Sequence, residues 1–132
     1  MGPLLDAGYG GRGGRDPDRI MAAVREARVD RIDYFLATHF HGDHVGGVPE
    51  LATRVAIGTF IDYGRPAGID RMAIGAFRAY EPVRDQGPHL TPRPGDRLPL
   101  GGIQAHIVSA GGAVLEKPLR GGGQANDACA TR

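Results

Sequence analysis

The stretch "DYFLATHFHGDHVGGVPEL", residues 33–51, decides how this chain is read. A nearly continuous apolar and aromatic run, Ile32 to Thr38, ends in His39, His41, Asp43 and His44. The run suits a strand covered on both faces. Positions 39 and 41 are two apart, so on extended backbone their rings point the same way. Gly42 is expected to let the chain turn sharply, bringing Asp43 and His44 back toward the same space. Three imidazoles and a carboxylate within six residues are donors that suit zinc, and also iron or manganese. The end of a strand in an open α/β sheet is also where ligands settle.

Outward from this cluster the pattern alternates between strands and helices. Upstream, "PLLDAGYG" reads as the last residues of a strand, Leu4 and Leu5, with Asp6 to Gly8 turning away from it. So short a first strand is expected where earlier strands are missing. "GYGGRGGR" is a flexible loop; no Lys-Ser/Thr follows it, which excludes a phosphate-binding P-loop. Asp16 is the expected N-cap of a helix with Pro17 at its first position, and Ile20, Met21, Val24 and Ala27 share one face. Downstream, "GGVPELATR" predicts a short helix with Val48, Leu51 and Ala52 inward, and Val55 to Asp62 the next strand. "GIDRMAIGAFRAY" predicts a helix with Ile69, Met72, Ala73, Ala76, Phe77 and Tyr80 on one face, stopped by Pro82. Pro94-Gly95-Asp96 marks a turn, and Ile103 to Ala110 reads as a strand. The order predicts an α/β fold with a mixed sheet and flanking helices. Residues 117–132 show no period and read as a loop or disordered tail.

With 132 residues the chain is one domain at most. Its 22 glycines and 10 prolines are clustered rather than spread, so the segments between them read as folded. A net charge of +1 with no basic stripe disfavours a nucleic-acid patch. No apolar run approaches the length of a membrane span, and no signal peptide is visible. The single cysteine, Cys129, has neither a disulfide partner nor a CxxC neighbour in the chain.

"THFHGDHVGG" resembles the signature of the metallo-β-lactamase superfamily, and "LLDAG" resembles that fold's early strand-turn motif. "RIDYFLATHFHGDHVGGVPEL" is most similar to the branch containing the ComEC-like competence hydrolases and their free-standing relatives. The likeness is specific from Leu4 to Leu51 and looser through "VAIGTFIDYG" and "LPLGGIQAHIVSAGG". It implies a four-layer αβ/βα sandwich and a metal-dependent hydrolase with two zinc ions, iron or manganese being alternatives. His39 and His41 would ligate the first ion, and Asp43 and His44 the second. A hydroxide between them would attack an ester, phosphodiester or related bond. Asp43 would orient it and shuttle its proton. Asp6 would sit beneath the ligands as a support.

The resemblance also implies ligands that this chain is not expected to supply. His89 lies in a Pro-rich loop and reads as a surface residue. His106 lies within a presumed strand and reads as a packed or edge-facing one. Asp127 has no strand before it. Residues 1–116 therefore read as the N-terminal half of the family domain, truncated at the tail. Two protein ligands per ion predict weak metal binding. A half sandwich predicts an exposed sheet face that invites self-association. The alternatives to a hydrolase acting on a small molecule or phosphodiester are a non-catalytic metal-binding module and an inactive remnant.

Overall fold

A computed structural model describes residues 2–66, 68–122 and 124. Four strands, β1 (Pro3–Leu5), β2 (Arg31–Leu36), β3 (Ala56–Ile61) and β4 (His89–Leu90), form one sheet in the order β1-β2-β3-β4. Every pairing in it is parallel, with Leu4 beside Phe35 and Phe35 beside Phe60. The crossovers carry helices α1 (Arg15–Glu26), α2 (Gly42–Val45), α3 (Val48–Leu51) and α4 (Arg71–Arg84). Connections of one hand between sequential neighbours put all helices on one face. The core agrees: Ile20, Met21 and Val24 of α1, Val45, Val48, Leu51, and Phe77 and Tyr80 of α4 pack with Phe35 and Phe60 of the sheet.

The α/β class and the helix-flanked sheet are borne out, with one refinement. The antiparallel pairing lies outside the main sheet, in two ladders of two residues per strand. One joins β5 (Arg97–Leu98) to β6 (Ala105–His106); the other joins β7 (Ser109–Ala110) to β8 (Ala113–Val114). The expected strand Ile103–Ala110 is thus split, because it changes partner between Ile107, which bonds to Gly95 and Asp96, and Val108, which accepts the Leu115 N–H. Leu98, Leu100, Ala105 and Ile107 pack on Tyr34, Leu36 and Ile61. Part of the sheet face opposite the helices, expected to be bare, is therefore covered by this chain's own segment 97–107.

Both ends of α1 and both ends of α4 differ from expectation. Gly14, in the left-handed region, is the N-cap of α1, one residue ahead of the helix and two ahead of Asp16. Asp16 instead accepts the Tyr9 N–H at 2.9 Å and pins the glycine loop to the helix; Ala27, at the C-cap, is exposed. Pro82 lies inside α4, which runs two residues past it. Proline removes only its own N–H, and the turn closes through Asp85 N–H to Glu81 O at 3.0 Å and Gln86 Nε2 to Pro82 O at 3.1 Å. Ile69 and Met72 are exposed, at 94% and 73%, because Ile69 precedes the helix and Met72 falls on its outer side.

Gly42 has no positive φ and opens α2; a methyl there would meet only the Tyr9 ring at 4.0 Å. The glycines that matter lie just beyond. A Cβ on Gly46 would strike Gly42 O and Gly10 N, and one on Gly47 would strike Ala7 O. Backbone lies directly on backbone here, clipped by Ala7 N–H to His44 O at 2.6 Å and Gly47 N–H to Gly8 O at 2.9 Å. This contact holds the turn after β1 against the histidine segment.

Candidate metal centre

The histidine segment leaves the C-terminal end of β2 beside the turn that leaves β1. Asp6, at φ 56°, aims its carboxylate across that gap. Its Oδ1 accepts the Thr38 N–H and its Oδ2 the Thr38 hydroxyl, both at 2.8 Å. Oδ2 also lies 2.8 Å from His44 Nδ1. Asp6 therefore sits under the cluster and holds it by three contacts, with His44 Nε2 pointing away, 3.5 Å from Asp43 Oδ2.

The rings of His39 and His41 stand 4.7 Å apart between centroids, and those of His39 and His44 3.8 Å. The extended backbone thus does place the first two rings together. Among the described residues each imidazole makes its hydrogen bonds through one nitrogen, with the Asp43 carboxylate a further 3.5 Å from His44 Nε2. His39 Nδ1 is 3.3 Å from Thr38 Oγ1, His44 Nδ1 is 2.8 Å from Asp6, and His41 Nε2 is 2.7 Å from Asp70 Oδ2. A carboxylate can only accept, so His44 carries its proton on Nδ1 and His41 on Nε2. The Thr38 hydroxyl gives its proton to Asp6 and accepts from His39 Nδ1. His39 Nε2, His41 Nδ1 and His44 Nε2 keep their lone pairs.

Burial, followed by the neighbouring His44 and His41, lowers the pKa of His39, which keeps the ring neutral at pH 7. The hydrogen bond from His41, and then those from the helix N–H groups, lower the pKa of Asp70. Imidazoles beside carboxylates fit a zinc-like ion in donor chemistry. The placement is less complete. Among the described residues, no group of three or more His, Cys, Asp or Glu side chains stands where it could hold a metal ion. The rings stack on one another instead of converging on one point.

A cleft of about 710 Å³ opens over His39 and His41. Its floor includes Leu36, Ile61 and Thr38, and its far wall is Ile107 with the β7–β8 turn. Among the described residues lining it, none is Lys or Arg. Tyr63 also lines it, with a phenol whose pKa burial raises.

Asp70 and His89 show what the sequence left unseen. Asp70 lies 29 residues from His41 with no motif around it, inside a stretch expected to be helical. His89, expected at the surface, opens β4 and places Nε2 2.9 Å from Oδ1 of the buried Asp62. Asp62 also accepts the Tyr80 hydroxyl at 2.8 Å and the Gly64 N–H at 2.7 Å. His106 is exposed in β6, opposite Arg97. Asp127 and Cys129 lie outside the described residues.

Over 49 residues the chain is 49% identical to the lactamase-like protein aptB of Emericella nidulans; that stretch is 36% of this chain and 16% of the relative. The chain therefore matches well under two thirds of that protein's length. The family model described as the metallo-beta-lactamase superfamily matches residues 4–115 of the 132, from β1 past β8. This chain belongs to the metallo-beta-lactamase superfamily.

Proposed function

We propose that the chain carries the metal-binding part of a metal-dependent hydrolase, with His39, His41, Asp43 and His44 as the ligands. The observation that carries this reading is the arrangement of partners behind the rings. Asp6 and Asp70 each engage one nitrogen of one histidine, and Thr38 lies against Nδ1 of both His39 and His44, so the partners gather on one side of each ring. Packing alone has no need of such an arrangement, whereas ligating histidines require it.

His39 Nε2 and His41 Nδ1 would hold one ion, and Asp43 and His44 Nε2 a second. Zinc, once held, supplies Lewis acidity that acidifies water and polarises the bond to be split; iron or manganese would supply the same. Asp43, half-exposed beside His44, would accept a proton from water and pass it on. Asp6 keeps His44 in the tautomer that leaves Nε2 unprotonated. The apolar floor excludes bulk water from one side of the cleft. Among the described lining residues none is lysine or arginine, so the charge of a phosphodiester would be met by the metal ions alone, and an acyl ester, lactone or thioester needs no further cation.

The test is metal titration, followed by hydrolysis assays with p-nitrophenyl butyrate and bis-p-nitrophenyl phosphate. We expect zinc to bind, to be lost on dialysis, and to be lost more readily from His44→Ala. We expect at least one of the two esters to be split in a zinc-dependent way. Absence of any zinc binding at millimolar concentration overturns the proposal. A second reading, a non-catalytic metal-binding module, is favoured by the count of four donors, two to each of two ions. Metal held at one ion per two chains, with neither ester split, would select it. The exposed side chains Ile103, Val108 and Val114, at 54%, 44% and 70%, support self-association of the chain.

A further inference from the structure

We propose that Asp70 is a positioning residue that fixes the tautomer and ring orientation of His41 for metal ligation. The inference rests on the metal-binding reading above and adds to it a residue outside the histidine segment.

Asp70 is held at both oxygens. Oδ1 accepts the N–H groups of Met72 and Ala73, at 2.9 and 3.2 Å, as the N-cap of α4. Oδ2 faces His41 Nε2 at 2.7 Å. The helix thus fixes the carboxylate, and the carboxylate fixes the ring. His41 sits at the N-cap of α2 on extended backbone and has no side-chain capping bond to restrain it. Asp70 is the partner that sets the rotation of its imidazole. With the proton on Nε2, Nδ1 is the nitrogen left to bind a metal. The arrangement repeats, for His41, what Asp6 does for His44 through Nδ1. One carboxylate comes from the turn after β1 and the other from the start of α4, so the two supports approach the cluster from separate crossovers. Both Asp70 and His41 line the cleft, which places this link at the candidate reaction centre.

A capping role alone would give the same helix, so the test must separate capping from positioning. Ser and Asn are both good N-caps. Serine is too short to reach His41. Asparagine would turn its amide N–H₂ toward Nε2 while its oxygen serves the helix, and so reverse the tautomer. In the metal-free wild-type chain we expect a slowly exchanging, downfield His41 Nε2–H proton by NMR, absent from Asp70→Ser. Both variants should keep the metal-free thermal midpoint within about 2 °C of wild type, since the cap survives. Both should weaken zinc or cobalt(II) binding roughly 10- to 100-fold. Unchanged affinity in both variants overturns the inference while leaving the metal site standing. So does an absent His41 proton in wild type. A loss of affinity matched by a fall in midpoint assigns Asp70 to capping alone and overturns it too. If wild type shows the proton but binds no metal, the metal-binding reading fails, and this inference with it.

Discussion

Replacing Asp6 tests the support of the cluster at its most loaded point. The carboxylate makes three contacts of 2.8 Å, to the Thr38 N–H, the Thr38 hydroxyl and His44 Nδ1, from a residue at φ 56°. Its side chain is 22% exposed, so water can replace part of what is lost. At about 1 kcal/mol per hydrogen bond, removing all three costs about 2–3 kcal/mol. A Cβ without a polar group in the left-handed region costs about 1 kcal/mol more. Asp6→Ala should therefore lose about 3–4 kcal/mol. Asp6→Gly relieves the backbone and should lose about 2–3 kcal/mol. Asp6→Asn tolerates the same φ, keeps an acceptor for the Thr38 N–H, and should lose only about 1 kcal/mol. Urea unfolding at pH 7 orders the three. Alanine no worse than glycine would refute the backbone part of the reasoning, and asparagine as bad as alanine the hydrogen-bond part. Asparagine should nonetheless weaken zinc binding beyond its effect on stability. Its N–H₂ faces His44 Nδ1 and moves the ring proton to Nε2, the nitrogen meant for the metal.

Other expected outcomes follow from single contacts. Gly46→Ala puts a methyl into Gly42 O and Gly10 N, and should cost about 1–3 kcal/mol in the same unfolding assay, with the Asp6–His44 contact loosened in NMR spectra. Tyr80→Phe removes the 2.8 Å hydrogen bond to buried Asp62 and should cost about 1–2 kcal/mol, whereas an unchanged midpoint would mean that His89, Gly64 and the nearby Arg84 satisfy the carboxylate without it. The hydrogen bond from Arg15, then that from the Tyr9 N–H, lowers Asp16 from 3.8 to about 2. A carboxylate depressed in the folded state adds stability above its unfolded pKa and loses it as pH falls through the folded one. Stability should thus drop between about pH 4 and pH 2 in wild type and drop less in Asp16→Asn, as followed by circular dichroism.

The legible parts of this protein are those where one residue type has one physical use. An apolar run such as Ile32 to Thr38 reads as a buried strand, and the donors His39, His41, Asp43 and His44 read as a group because they lie within six residues. Asp6 was legible through the LLDAG pattern, and its place under the cluster is as expected. Asp70 was not, because one oxygen caps a helix while the other reaches a ring 29 residues away, and sequence carries only the first role. His89 misled for a similar reason: its prolines suggested a loop, while its partner Asp62 is buried at the end of β3. The start of α1 was misplaced because Gly14 takes a left-handed cap that polar-cap rules do not anticipate. The split of 103–110 into two ladders comes from a change of partner between Ile107 and Val108, which alternation within the strand conceals.

The backbone clip between Ala7 and His44, and between Gly8 and Gly47, has a consequence for the order of assembly. Its two bonds join residues separated by 44 − 7 = 37 and 47 − 8 = 39 positions. Neither can form until β1 has docked beside β2 and the α1 crossover has closed, so the loop entropy of that closure must already have been met. Asp6 reaches His44 only at that stage. The histidine segment is local in sequence, but its support is not, and its maturation reports that the first crossover has folded.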